Sequence, residues 1–116
     1  MAALVDLGIG AFDRARMSDM SGRYLEITYR HGKPVAAYFY LPRQPGDISA
    51  CTAIGDSGLV TDFAADGRPI GVEITSPSAV TLASLNTALS AANQPPAALD
   101  DIAPLLIGAK HRADAR

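Results

Sequence analysis

YLEITYRHGKPVAAYFYLPRQPGDISACTAIGDSGLVTDFAADGRPIGVEIT, residues 24–75, is the stretch whose reading decides the fold. It divides into five short runs of alternating apolar and polar residues, separated by turn-forming residues and followed at once by an amphipathic helix. The strongest local signal is Asp66-Gly67, because a type I′ hairpin turn needs positive φ at both central positions and these residue types tolerate it. Counting outward from that pair sets Phe63 against Ile70, Thr61 against Val72 and Leu59 against Ile74, all on one face.

The same reasoning extends toward the N-terminus. In residues 24–30, Leu25, Ile27 and Tyr29 alternate with Tyr24, Glu26, Thr28 and Arg30, the period of a half-buried antiparallel strand. In residues 35–41, Val35, Ala37, Phe39 and Leu41 share one face and Ala36, Tyr38 and Tyr40 the other. A one-residue slip turns every side chain over, so keeping Leu25 and Ile27 beside Phe39 and Ala37 demands an odd loop. A three-residue turn at His31, Gly32 and Lys33 satisfies it, pairing Arg30 with Pro34, Tyr29 with Val35 and Leu25 with Phe39. Residues 48–54 make the weakest strand, with small residues Ser49, Ala50, Cys51 and Ala53, and Gly55-Asp56-Ser57-Gly58 turns the chain into the strand from Leu59.

Ser76-Pro77 reads as an N-cap with proline at the first helical position. Leu82, Leu85, Ala88, Leu89 and Ala92 then form a narrow apolar stripe that lies across a sheet, and Gln94-Pro95-Pro96 ends the helix. Leu99, Ile102, Leu105, Leu106 and Ile107 form a further short apolar segment limited by Pro104, before a charged tail from Lys110. The first 23 residues show no sustained period, and a start at Met20 would remove residues 1–19 as an apparent leader without touching the folded unit. The expected organisation is an N-terminal flexible arm (1–23), an antiparallel sheet plus helix (24–93) and a C-terminal extension (94–116). The fold class is α+β, a five-stranded antiparallel meander with one C-terminal helix on one face.

Ten Lys and Arg against twelve Asp and Glu give a net charge of -2, so no bulk positive field exists for nucleic acid or an anionic membrane. The single cysteine, Cys51, excludes an intramolecular disulfide and fits a reducing compartment, which makes the cytoplasm the expected location. Asp6 interrupts the apolar N-terminus and no apolar run reaches the roughly 18 residues of a membrane span, so neither signal peptide nor transmembrane helix is expected.

At Tyr24-Leu25-Glu26-Ile27, Ala37-Tyr38, Asp66-Gly67-Arg68 and Gly71-Val72-Glu73-Ile74 the chain resembles a family of short, mainly bacterial proteins known as domain of unknown function number twenty-two eighty-three. The resemblance covers residues 24–89. It implies a small antiparallel sheet with a helix and no established activity, and it carries no expectation for the N-terminal arm or the segment after Pro95.

No arrangement for nucleophilic catalysis stands out: His31 falls in a turn, His111 in the tail, and Cys51 reads as a small half-buried hydrophobe. Catalytic, cofactor and metal residues are therefore assigned as none. The candidate interaction face is the one away from the helix, where Glu26, Tyr38, Tyr40, Asp62 and Glu73 project together if the registers hold. The leading reading is a non-enzymatic, self-associating protein-interaction module, since tyrosines add rigid amphipathic area suited to interfaces. The alternatives are a small-ligand or cation-binding domain, or a marginal hydrolase, using Glu26, Asp62 and Glu73, and an antitoxin-like partner of another small protein.

Overall fold

A computed structural model describes the backbone of residues 2–4, 12–18 and 22–114, and the side chains of residues 22–106. The chain forms strands β1 (Ala2–Leu4), β2 (Phe12–Ser18), β3 (Tyr24–Arg30), β4 (Lys33–Tyr40), β5 (Cys51–Ile54), β6 (Leu59–Phe63) and β7 (Pro69–Ile74), then helices α1 (Leu82–Ala91) and α2 (Leu99–Asp114). All strands join one antiparallel sheet of order β1-β2-β3-β4-β7-β6-β5. The class is α+β, but the order is not a meander. After β4 the chain crosses to the far edge, builds β5, β6 and β7 inward, and lays β7 beside β4, a Greek-key arrangement. The physical reason is burial: β7 carries Ile70, Val72 and Ile74, each fully buried, and belongs between two neighbours, whereas every residue of β5 is exposed.

The expected β6–β7 pairing is observed for Leu59 with Ile74 and Thr61 with Val72, but a register shift after Asp62 sets Phe63 against Pro69 rather than Ile70. Asp66-Gly67 is not a type I′ turn. The Gly67 N–H donates to the Ala64 carbonyl at 2.9 Å, and only Gly67 of the two central residues has positive φ (90°). This is a three-residue loop ending in a left-handed glycine. The type I′ turn lies instead at His31 (φ 52°) and Gly32 (φ 77°), joining Arg30 to Lys33. The odd residue that parity demands is then supplied by a bulge at Val35, which restores Leu25 opposite Phe39.

Helix α1 begins at Leu82, not after Ser76. Thr81 and Ser84 cap reciprocally, each side chain meeting the other's backbone N–H at 2.9 Å. Val80 before the cap and Leu85 in the next turn both enter the core, the positions of a hydrophobic staple. Residues 76–79 form a separate turn, closed by the Ala79 N–H on the Ser76 carbonyl. The C-terminus closes on Asn93 in the left-handed region (φ 59°), with the Asn93 N–H on the Ser90 carbonyl and the Gln94 N–H on the Leu89 carbonyl.

The segment after Pro95 is a second helix, a correction to the single helix expected. A backbone kink at Ile102 (φ -126°, ψ 15°) leaves Pro104 in the first turn of the longer, C-terminal part of α2, where its missing N–H costs little. Ile102 and Leu105 are buried with Leu85, Leu89, Leu25, Ile27 and Phe39 in one core, so both helices cover one face, α1 over β6 and α2 over β3 and β4. Burying each such leucine contributes about 1.5–3 kcal/mol. The arm expected over residues 1–23 contains two strands, with β2 pairing along all of β3; the remainder of that arm before residue 22 lies outside the described residues. Among the described residues no helix is long and apolar enough to cross a membrane.

Candidate functional site on the aromatic face of the sheet

The alternation that buries Leu25, Ile27, Ala37 and Phe39 under the helices forces Tyr24, Glu26, Tyr38 and Tyr40 to the opposite face. Glu26 stands opposite Tyr38, Tyr38 opposite Glu73, and Asp62 opposite Gly71, so the five residues expected together do share this face. They do not form one site. Glu26 and Asp62 are separated by three strand spacings, about 14 Å, too far to share a cation or flank one bond. Among the described residues no three of His, Cys, Asp and Glu converge to hold a metal ion.

What the face builds instead is an aromatic and hydrogen-bonded lattice. From β4, the Tyr38 ring crosses Gly71 of β7 and its hydroxyl donates to Asp62 Oδ2 on β6 at 2.7 Å. A Cβ on Gly71 would overlap that ring, so glycine is needed there for space. Arg43 folds back over the pair: its Nη2 donates to the Tyr38 hydroxyl at 3.1 Å and its Nε to the Ile70 carbonyl at 3.2 Å. Its guanidinium lies 4.9 Å from the Tyr40 ring centre and 5.6 Å from that of Tyr38. Tyr40 stacks on Tyr24 at 4.2 Å and donates to Glu26 Oε1 at 3.2 Å.

These contacts set the electrostatics. Burial, then the hydrogen bond to Asp62 and its negative charge, hold the Tyr38 phenol far above the ordinary tyrosine range, with Arg43 opposing. Burial first and the Glu26 charge second raise Tyr40. A phenol pushed upward in this way is protonated at neutral pH and is a poor base or nucleophile. Asp62, 8 % exposed, is a buried acceptor rather than part of a wet surface. Glu73 alone of the five is exposed.

Arg43, Tyr24 and Gly71 belong to the lattice although the sequence reading does not include them. Tyr24 was legible from its alternation with Leu25, and Gly71, a glycine between Ile70 and Val72, signals close approach of another group. Nothing in the sequence marks Arg43, which comes from a loop. Elsewhere, His31 is exposed in its turn and His111 lies outside the described side chains. Cys51 is exposed on the edge strand rather than half-buried. Gly55-Asp56-Ser57-Gly58 is a short 3-10 turn, held by the Thr75 N–H and hydroxyl on the Gly58 carbonyl.

No family model, curated protein or solved structure matches this chain. The functional reading therefore rests on geometry.

Proposed function

We propose that this chain is a non-enzymatic protein-interaction module that works as a homodimer in the cytoplasm. Membership in the bacterial family resembled by its Tyr24 and Asp66-Gly67 motifs belongs to the same proposal, and that family brings no established activity with it. The observation that carries the reading is where apolar area is left outside. Ile54 is 84 % exposed on β5 and Ile48 76 % exposed just before it, beside a strand with no residue buried. The polar groups most suited to chemistry, Tyr38 and Asp62, are meanwhile engaged with each other. A domain that has already buried a full core under two helices gains nothing internally from exposed isoleucines, and a partner surface gives them a use. Size-exclusion chromatography with light scattering on the full chain tests this: a mass twice the 12.1 kDa of one chain is expected. A mass of one chain at every concentration overturns it.

A further inference from the structure

Strand β5 is the last strand of the sheet, bonded on one side to β6. The Gly55 N–H donates to the Leu59 carbonyl at 2.8 Å, which makes Gly55 and Leu59 a hydrogen-bonded pair. In an antiparallel ladder such pairs alternate, so Ala53 with Thr61 and Cys51 with Phe63 are also bonded, while Thr52 and Ile54 direct their N–H and C=O away from β6. Among the described residues no strand covers that side. Sheet edges are normally protected by charge, proline, a bulge or shortness. β5 is short, four residues, but residues 48–55, Ile-Ser-Ala-Cys-Thr-Ala-Ile-Gly, hold no Lys, Arg, Asp, Glu or Pro to block pairing along them.

We propose that β5 of one copy pairs antiparallel with β5 of a second copy about a two-fold axis through Ala53, joining the two sheets into one. This rests on the homodimer reading above and names its interface. A second copy is the occupant because a two-fold axis perpendicular to the sheet gives each outward donor an outward acceptor of the same kind. Facing residues must share a sheet face, so only even registers are allowed. With Ala53 on the axis, Thr52 meets Ile54 of the second copy twice over, and all four outward residues are bonded. A shift that puts Thr52 on the axis sets Ile54 against Ala50, whose N–H is already committed to the Phe63 carbonyl at 2.8 Å. A shift toward Ile54 sets Thr52 against Asp56, inside the 3-10 turn. The Ala53 register alone uses every outward group.

The side chains agree with it. Thr52 and Ile54 lie on the face of Asp62 and Val60, so the join makes two β-branched cross-strand pairs and covers the most exposed isoleucine among the described residues. On the helix-bearing face it brings together only Ala53 with Ala53 and Cys51 with Gly55. Gly55 there borders a cleft of about 300 Å³ against Ser84, Thr87, Ala88 and Ala91 of α1, which leaves room for the cysteine of the second copy.

The test uses the full chain. In the double variant Cys51→Ser with Ala53→Cys, the two thiols face each other across a non-hydrogen-bonded pair with Cα atoms about 4.5 Å apart, within disulfide range, and air oxidation should link most of the protein as dimer. Native Cys51 sits four positions from its twin, about 13 Å, and should not link. Thr52→Pro removes an outward N–H, and Ile54→Lys adds charge at an exposed position; each should weaken association at least tenfold, while unfolding measured at concentrations where wild type and variant are both monomeric stays unchanged. Dimers that survive both substitutions and never link through residue 53 overturn the interface but leave the homodimer standing. Linking through native Cys51 instead places the axis elsewhere and overturns the register. A monomeric wild type overturns both proposals.

Discussion

Replacing Gly71 with alanine adds one methyl group at the point where the Tyr38 ring crosses β7. The backbone at Gly71 is ordinary extended strand, so an alanine there carries no conformational strain and, judged locally, should stabilise a strand by about 0.5–1 kcal/mol relative to glycine. The structure predicts the opposite sign. The new Cβ would meet the outer end of the Tyr38 ring, which can swing aside only by giving up its 2.7 Å bond to Asp62 and the 3.1 Å bond from Arg43. A hydrogen bond to a charged partner is worth about 1.5–3 kcal/mol, and leaving a buried acceptor unsatisfied costs about 1–3 kcal/mol. After the local gain is subtracted, Gly71→Ala should cost about 1.5–5.5 kcal/mol, read as a lower urea midpoint at unchanged slope. The decisive measurement is the same substitution in a Tyr38→Ala background. There the ring is gone, the methyl group enters free space, and Gly71→Ala should be neutral or slightly stabilising, a coupling of about 2 kcal/mol or more. Equal costs in the two backgrounds, or a neutral effect in the wild type, would refute the claim that glycine is kept there to let the ring through. Tyr38→Ala itself destabilises on this reasoning, which sets aside any expectation that the ring is a removable surface group.

Other parts of the structure give three further outcomes. Gly67→Val should destabilise by about 1–2 kcal/mol because a β-branched residue is forced to positive φ, while Gly67→Asn should be much milder; equal denaturation midpoints would remove the left-handed loop assignment. Arg68 binds Asp47 at 2.9 Å and Asp66 at 2.8 Å, and its hydrogen bonds hold both carboxyls below the usual range. Their stabilisation is thus fully present above the unfolded Asp value of about 3.9 and lost as pH falls through the lowered folded values. The melting-temperature gap between wild type and Arg68→Gln should therefore be widest near neutrality and close in acid; a gap independent of pH would assign Arg68 to packing. Deleting residues 1–19 removes β1 and β2 and uncovers the β3 edge, so the melting temperature should fall and aggregation rise; an unchanged melting curve would show that β2 contributes nothing to the sheet.

The amino-acid sequence alone specifies most local alternations: which residues of β3, β6 and β7 face the core, the placement of Ala37 and Phe39 in β4, the pairings of Leu59 with Ile74 and Leu25 with Phe39, the apolar stripe of α1 and its stop before Pro95; Val35, expected on the core face opposite Tyr29, is instead exposed, because the bulge sets Pro34 opposite Tyr29. These depend on side-chain period and neighbouring residues, which a linear reading contains. It also put Glu26, Tyr38, Tyr40, Asp62 and Glu73 on one face, because parity alone does that. Only the tertiary structure decided that β7 inserts between β4 and β6, since that choice compares the burial of Ile70, Val72 and Ile74 with that of β5 across a ten-residue connection. The insertion is what carries Asp62 within reach of Tyr38, over the one residue of β7 small enough to let the ring pass. The turn geometries likewise exchanged places: Asp66-Gly67 had the better type I′ residues, yet His31-Gly32 took that turn because the bulge at Val35 absorbed the parity. Strand order, bulges and the edge position of β5 arise from competition among distant segments for the same buried positions, and no local pattern records which of them wins.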